Sequence, residues 1–225
     1  MRRWGFVISI IYAVIVLGLL LPFAVLLAGD HGLLEGRYYS DVAGAYGAWE
    51  MWIPVGMLVV GQVSLLFLSV DTTHKRLKPR ASAWWSVAIA GMLFMILSVG
   101  AFSSVAVAVK SDHFFDIVEN AWLWIFVGLW AGWGVVFYVY LRGKTEAMNR
   151  LVGWLLRGSV LELLIAVPCH VIVRRRNDCS APVATSFGIT TGIAIMLLSF
   201  GPSVLLLYKK RMDTLRGAQE RHTSA

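Results

Sequence analysis

The chain has 225 residues, 58% of them hydrophobic and 15% charged, with a mean hydropathy of +0.72. A soluble domain of this length carries roughly a quarter charged residues, so the composition excludes one and points to repeated crossing of a lipid bilayer. The net charge of +7 comes from 20 Lys+Arg against 13 Asp+Glu, in short clusters between apolar runs, whereas nucleic-acid binding needs a basic face with readers interleaved; no nucleic-acid partner is expected.

Six spans are expected in a single all-α membrane bundle over 1–225, at about 4–28, 51–70, 84–109, 122–141, 160–176 and 183–208. Helices satisfy their backbone hydrogen bonds internally, which the bilayer requires. The first run follows Met1-Arg2-Arg3 and is longer than the core of a secretory signal, so it is read as a span, with a mild kink at Pro22. The connector from Gly29 to Glu50 is too short for an extramembrane domain.

The second span carries Gln62, an expensive group to bury in lipid and hence one that should face the bundle interior. In the third, Gly91–Gly100 aligns with Gly192–Gly201 of the sixth at five of ten positions. Three spans per half would make such a repeat inverted, an arrangement that transporters use. The fourth span holds Gly128-x-x-x-Gly132 and the sixth Gly188-x-x-x-Gly192, spacings that let helices approach closely, within one chain or in a homo-oligomer.

Residues 145–157 have the pattern of an interfacial amphipathic helix that Gly158 ends. Ser159-x-x-Glu162 then has the spacing of a capping box opening a short fifth span, and Glu162 is equally a candidate intramembrane carboxylate. Pro168 interrupts this span, and a short interrupted span points to a transporter binding site. The sixth adds Thr190, Thr191 and Ser199 before Gly201-Pro202. Gln62, Glu162, Thr190, Thr191 and Ser199 together form a candidate polar path through the second, fifth and sixth spans.

Between Pro168 and Pro182 lie both cysteines, Cys169 and Cys179, with His170 and the run Arg174, Arg175, Arg176. A Cys169–Cys179 disulfide, a metal or haem held by Cys169, His170 and Cys179, and inert buried thiols are competing readings. No cofactor is expected outright. The three arginines suit pairing with acidic loops through Asp112, Asp116, Glu119, Glu35 and Asp41, or an anion site for a lipid headgroup or small solute.

With alternate sides assigned, Arg2, Arg3, Lys75, Arg76, Lys78, Arg80, Arg142, Lys144, Arg150, Arg157, Lys209, Lys210, Arg211, Arg216 and Arg221 make 15 cations on one side. Arg37, Lys110 and Arg174–Arg176 make 5 on the other. Cations concentrate in the cytoplasm, which places both termini there, the polar tail 209–225 included, in a cytoplasmic (inner) membrane. Tyr and Trp near the span ends, among them Tyr38, Trp49, Trp84 and Trp122, fit interfacial belts.

No phosphate-binding loop, His-Glu-x-x-His or Gly-x-Ser-x-Gly motif is present, which leans away from an enzyme. The leading functional expectation is transport or permeation of a small solute or ion. The alternatives are a non-catalytic subunit or assembly partner of a larger membrane complex, and a redox or metal-dependent membrane enzyme using Cys169, His170 and Cys179.

Overall fold

The structure, a computed structural model, describes residues 2–29, 35–71, 82–109, 112–142, 147–176 and 181–200. These are almost entirely helical, without a strand among the described residues. Five helices are long and apolar enough to cross a membrane, and a sixth crossing is made if one bent pair counts as a span. The chain is a polytopic all-α membrane bundle. Its many outward-facing Val, Ile, Phe and Trp side chains, a liability in water, are the surface that lipid solvates.

The first span is built from α1 (Arg2–Ile15), a π-helical turn (Val16–Leu20) and α2 (Leu21–Ala28). Pro22 explains the turn. In the π register the Leu21 amide donates to Val16 O, and the next bond would run from residue 22 to Leu17 O. Proline has no N–H to give. The Tyr46 hydroxyl donates to Leu17 O in its place, and that of Tyr38 donates to Pro22 O at 3.1 Å. Both tyrosines belong to α3 (Gly36–Gly47), a helix inside the expected connector that packs on α2. Tyr38 is thereby buried against the first span.

At Ala48 the backbone becomes extended, and the chain turns by 71° into α4 (Trp49–Asp71), which packs on α1 and on α5 (Ser82–Val109). α5 is the central helix. Leu93, Phe94, Ile96 and Leu97 form its share of the core, and α6 (Asp112–Leu141) lies against one side. Trp130 Nε1 donates to Ala88 O at 2.8 Å and Trp133 Nε1 to Ser98 Oγ at 2.9 Å. A Cβ at Gly91 would stand 3.0 Å from the Gly134 nitrogen, so that glycine pair sets how closely α5 and α6 approach.

Gly128 and Gly132 do not take part. Among the described residues nothing lies within 4 Å of a Cβ at either position, and both face outward, which corrects the expectation of packing within the chain at this pair.

One helix, α7 (Ala147–Arg175), replaces the expected interfacial helix and separate short span. It runs through Gly158 unbroken, because Gly158 serves packing: a Cβ there would stand 3.0 Å from the Phe94 ring of α5. Without a helix start at this point the capping box has nothing to cap. Ser159 Oγ donates to Leu156 O in its own helix, and Glu162 looks into the bundle. Pro168 also lies within α7, as membrane helices tolerate when neighbouring groups are satisfied elsewhere. The last described element is α8 (Ala181–Phe200); Gly201, Pro202, the remainder of the expected sixth span and the tail lie outside the described residues.

The arginine run ties helix ends together. Arg174 Nη2 donates to Leu27 O at 2.8 Å and also reaches Leu26 O and Gly29 O, the last carbonyls of α2. Arg176 Nη1 donates to Ala108 O at 2.6 Å, at the end of α5. Cations favour the carbonyl-rich, negative end of a helix, so partners for both guanidiniums are helix ends. The C-terminal ends of α2, α5 and α7 therefore meet at one end of the bundle. Arg174→Ala should remove about 1.5–3 kcal/mol of stability, the usual worth of hydrogen bonds to a charged group, seen as a lower unfolding temperature in detergent. An unchanged temperature would show that the clamp carries no weight.

Candidate functional site

A line of buried polar residues runs where α5, α7 and α8 meet. On α7, Glu162, Ala166, His170 and Arg174 recur every four residues and so share one face. On antiparallel α8 the facing residues are Thr191, Gly188 and Thr185, every three. Thr191 Oγ1 donates to Glu162 Oε1 at 3.1 Å. A Cβ at Gly188 would stand 3.2 Å from Ala166 Cβ. His170 Nδ1 lies 2.8 Å from Thr185 Oγ1. The Thr185 hydroxyl also faces Pro182 O at 3.1 Å, and with its one proton on that carbonyl the imidazole Nδ1–H is the donor to Thr185.

α5 closes the third side with small residues at the same spacing, Gly100, Ser104 and Ala108. Ser104 Oγ donates to Gly100 O at 2.7 Å, and a Cβ at Gly188 would approach Ser104 Oγ at 2.7 Å and Gly100 O at 2.8 Å. The three backbones thus approach as closely as small residues allow. The Gly188-x-x-x-Gly192 pair is spent on this contact and not on a surface.

Glu162 is 2% exposed. Gly100 stands directly against its Oε1, where any side chain would overlap it, and a Cβ at Gly192 would lie 3.0 Å from its Oε2. Oε2 has no hydrogen-bond partner among the described residues. Leaving such a buried group unsatisfied costs about 1–3 kcal/mol. A buried carboxyl with a glycine on each side and one hydroxyl as partner is a group the fold accommodates at a loss. At 1.5 Å rise per residue His170 lies about 12 Å further along α7, and Arg174 about 6 Å beyond that.

The other expected path residues divide. Thr190 Oγ1 donates to Ser186 O at 2.8 Å and Ser199 Oγ to Ile195 O at 2.8 Å, so both return a hydrogen bond to their own helix. Gln62 is 1% exposed, and its Oε1 has no partner among the described residues. It belongs to α4, whose main neighbours are α1 and α5. The wall that Gly100 sets against Glu162 is the third span, which the expected path left out. Gly100 and Ser104 escaped the sequence reading, although Gly100-x-x-x-Ser104 carries the same small-residue signal as the pairs that were recognised.

Cys169 has a free thiol, so the structure does not supply the candidate disulfide with Cys179, which lies outside the described residues. Cys169 packs beside Val107, Ala108, Val173, Ala181 and Ala184, an apolar setting in which a thiol acts as a small hydrophobe. Alkylation of the denatured protein without reductant should therefore modify Cys169, read by the mass of its peptide. Modification only after reduction would contradict the free thiol. Among the described residues no three His, Cys, Asp or Glu side chains come together as metal ligands; the candidate set that includes Cys179 falls outside them.

The class is thus a polytopic helical membrane protein with a buried, carboxyl-bearing polar seam. No protein family, no curated protein and no solved structure matches the chain.

Proposed function

We propose that the chain mediates transport or permeation of a small solute or ion, and that its path is the seam of α5, α7 and α8 around Glu162. The observation that carries this reading is the unpartnered Glu162 oxygen at the centre of the bundle. Ionisable groups within membrane spans are rare, expensive and characteristic of ion and proton pathways. The polar face shared by Glu162, His170 and Arg174 extends the seam to one end of the bundle. The 15 to 5 division of cations supports a cytoplasmic-membrane orientation with both termini inside.

A second reading, as a subunit of a larger membrane complex, draws on the outward face of α6, where exposed Gly128 and Gly132 lie with Trp124 and Val135. Purified chain alone in liposomes separates the two. Transport requires that the wild type release at least one entrapped ion or small solute faster than protein-free liposomes, and that Glu162→Gln return the rate to that background. Background rates for the wild type with every probe would overturn it in favour of the subunit.

A further inference from the structure

The packing around Glu162 bears on what it binds. Space is the first constraint. Gly100 and Gly192 border the two carboxyl oxygens so closely that even a methyl group would overlap or crowd them. A metal cation gathers several oxygens around a volume of its own, six or more at over about 2 Å each for calcium and magnesium. Ligand number is the second. Among the described residues Thr191 is the one side chain that bonds the carboxyl, and its hydroxyl is shared with Phe187 O at 2.7 Å and Gly188 O at 3.3 Å. Those carbonyls belong to one turn of α8 and do not encircle a cation.

Charge is the third constraint. α5 and α8 contain no Asp, Glu, Lys, Arg, His or Tyr over their described lengths. Among the described residues, the titratable group that reaches α8 from outside α7 is Tyr12 of α1, whose hydroxyl donates to Ala194 O at 3.1 Å. On α7 itself the flanking groups are exposed Arg157 on one side and His170 and Arg174 on the other. Glu162 therefore has room, partners and counter-charge for one very small positive species.

We propose that Glu162 is a proton-binding site of the seam, the bound cation being a proton and not a metal ion. The chemistry is balanced without a co-reactant: a proton from water forms an O–H bond on the carboxylate, no electron moves, and release reverses the step. His170 is the next titratable group on the same face of α7, beside Thr185 and on the side of the Arg174 end. This assignment deepens the transport reading and rests on it for its use.

Infrared difference spectra of the full chain in lipid, recorded as pH is raised, test it directly. The wild type should lose the C=O stretch of a protonated carboxyl that Glu162→Gln lacks and Glu162→Asp shows displaced. Replacing choline by Na+ or Li+ at constant pH should leave that band in place. Loss of the band on adding Na+ or Li+ would overturn the proposal in favour of a metal cation. Absence of any pH-dependent band that depends on residue 162 would overturn it outright, and Glu162→Asp keeps the assignment possible should Glu162→Gln fail to fold. A titrating Glu162 in a chain that moves no solute would sink the transport reading alone. Flux without titration would sink the proton site alone.

Discussion

Glu162→Leu will leave the bundle at least as stable as the wild type and will abolish flux. The carboxyl is buried, keeps one hydrogen bond and leaves one oxygen without a partner. Replacing a half-satisfied buried polar group by an apolar one of similar size is close to neutral or stabilising. Leucine fills the space between Gly100 and Gly192 and removes the orphan oxygen, while the Thr191 hydroxyl still has Phe187 O and Gly188 O. The unfolding temperature in detergent should hold or rise, by an amount equivalent to about 1 kcal/mol, as the liposome rate falls to background. A structural carboxyl gives the opposite pair of outcomes, with lost stability and flux reduced only through lost protein.

Gly100→Ala carries the next largest effect. Its Cβ would overlap Glu162 Oε1 and stand 3.0 Å from Gly188 Cα. Backbone on that second side cannot move away as a side-chain tip can, and overpacking of this kind destabilises by about 1–3 kcal/mol. In a Glu162→Ala background the same substitution should be milder, because the first atom it meets is gone, with a coupling of about 0.5–3 kcal/mol between the two changes. Coupling should be incomplete, since the Gly188 contact persists. Strict additivity in a thermal or denaturant series would contradict the close approach of Gly100 to the carboxyl.

The membrane class was legible in the sequence because hydropathy and length constrain spanning helices more strongly than any soluble fold is constrained. The seam was legible only as ingredients. Glu162 was visible as an acid near a span, but Gly158 suggested a helix end, and the true role of that glycine depends on Phe94 of another helix. Glycine as a stop and glycine as a packing notch look alike in one dimension. Arg174–Arg176 raised the same difficulty. An arginine run suggests carboxylate or phosphate partners, and the helix-end carbonyls that Arg174 and Arg176 also reach, more than sixty residues away in sequence, leave no mark in one dimension. Tyr46 could not be anticipated either, because its partner is a carbonyl exposed by a change of helical register at Pro22. Small residues on α5 were the missed signal, Gly100, Ser104 and Ala108 lining up four apart on the helix the bundle is built around.

The seam as a path open to protons is the central claim, and hydrogen–deuterium exchange at Glu162 tests it most directly. The C=O band that depends on residue 162 would be followed in the full chain in lipid as H2O is replaced by D2O, a change that asks for no space beyond what the close approach of Gly100 and Gly192 leaves. A prompt downshift of that band is the outcome the account predicts. A band that stays unshifted in D2O would mean that the interior around Glu162 is a dry wall, and the path would be elsewhere or absent.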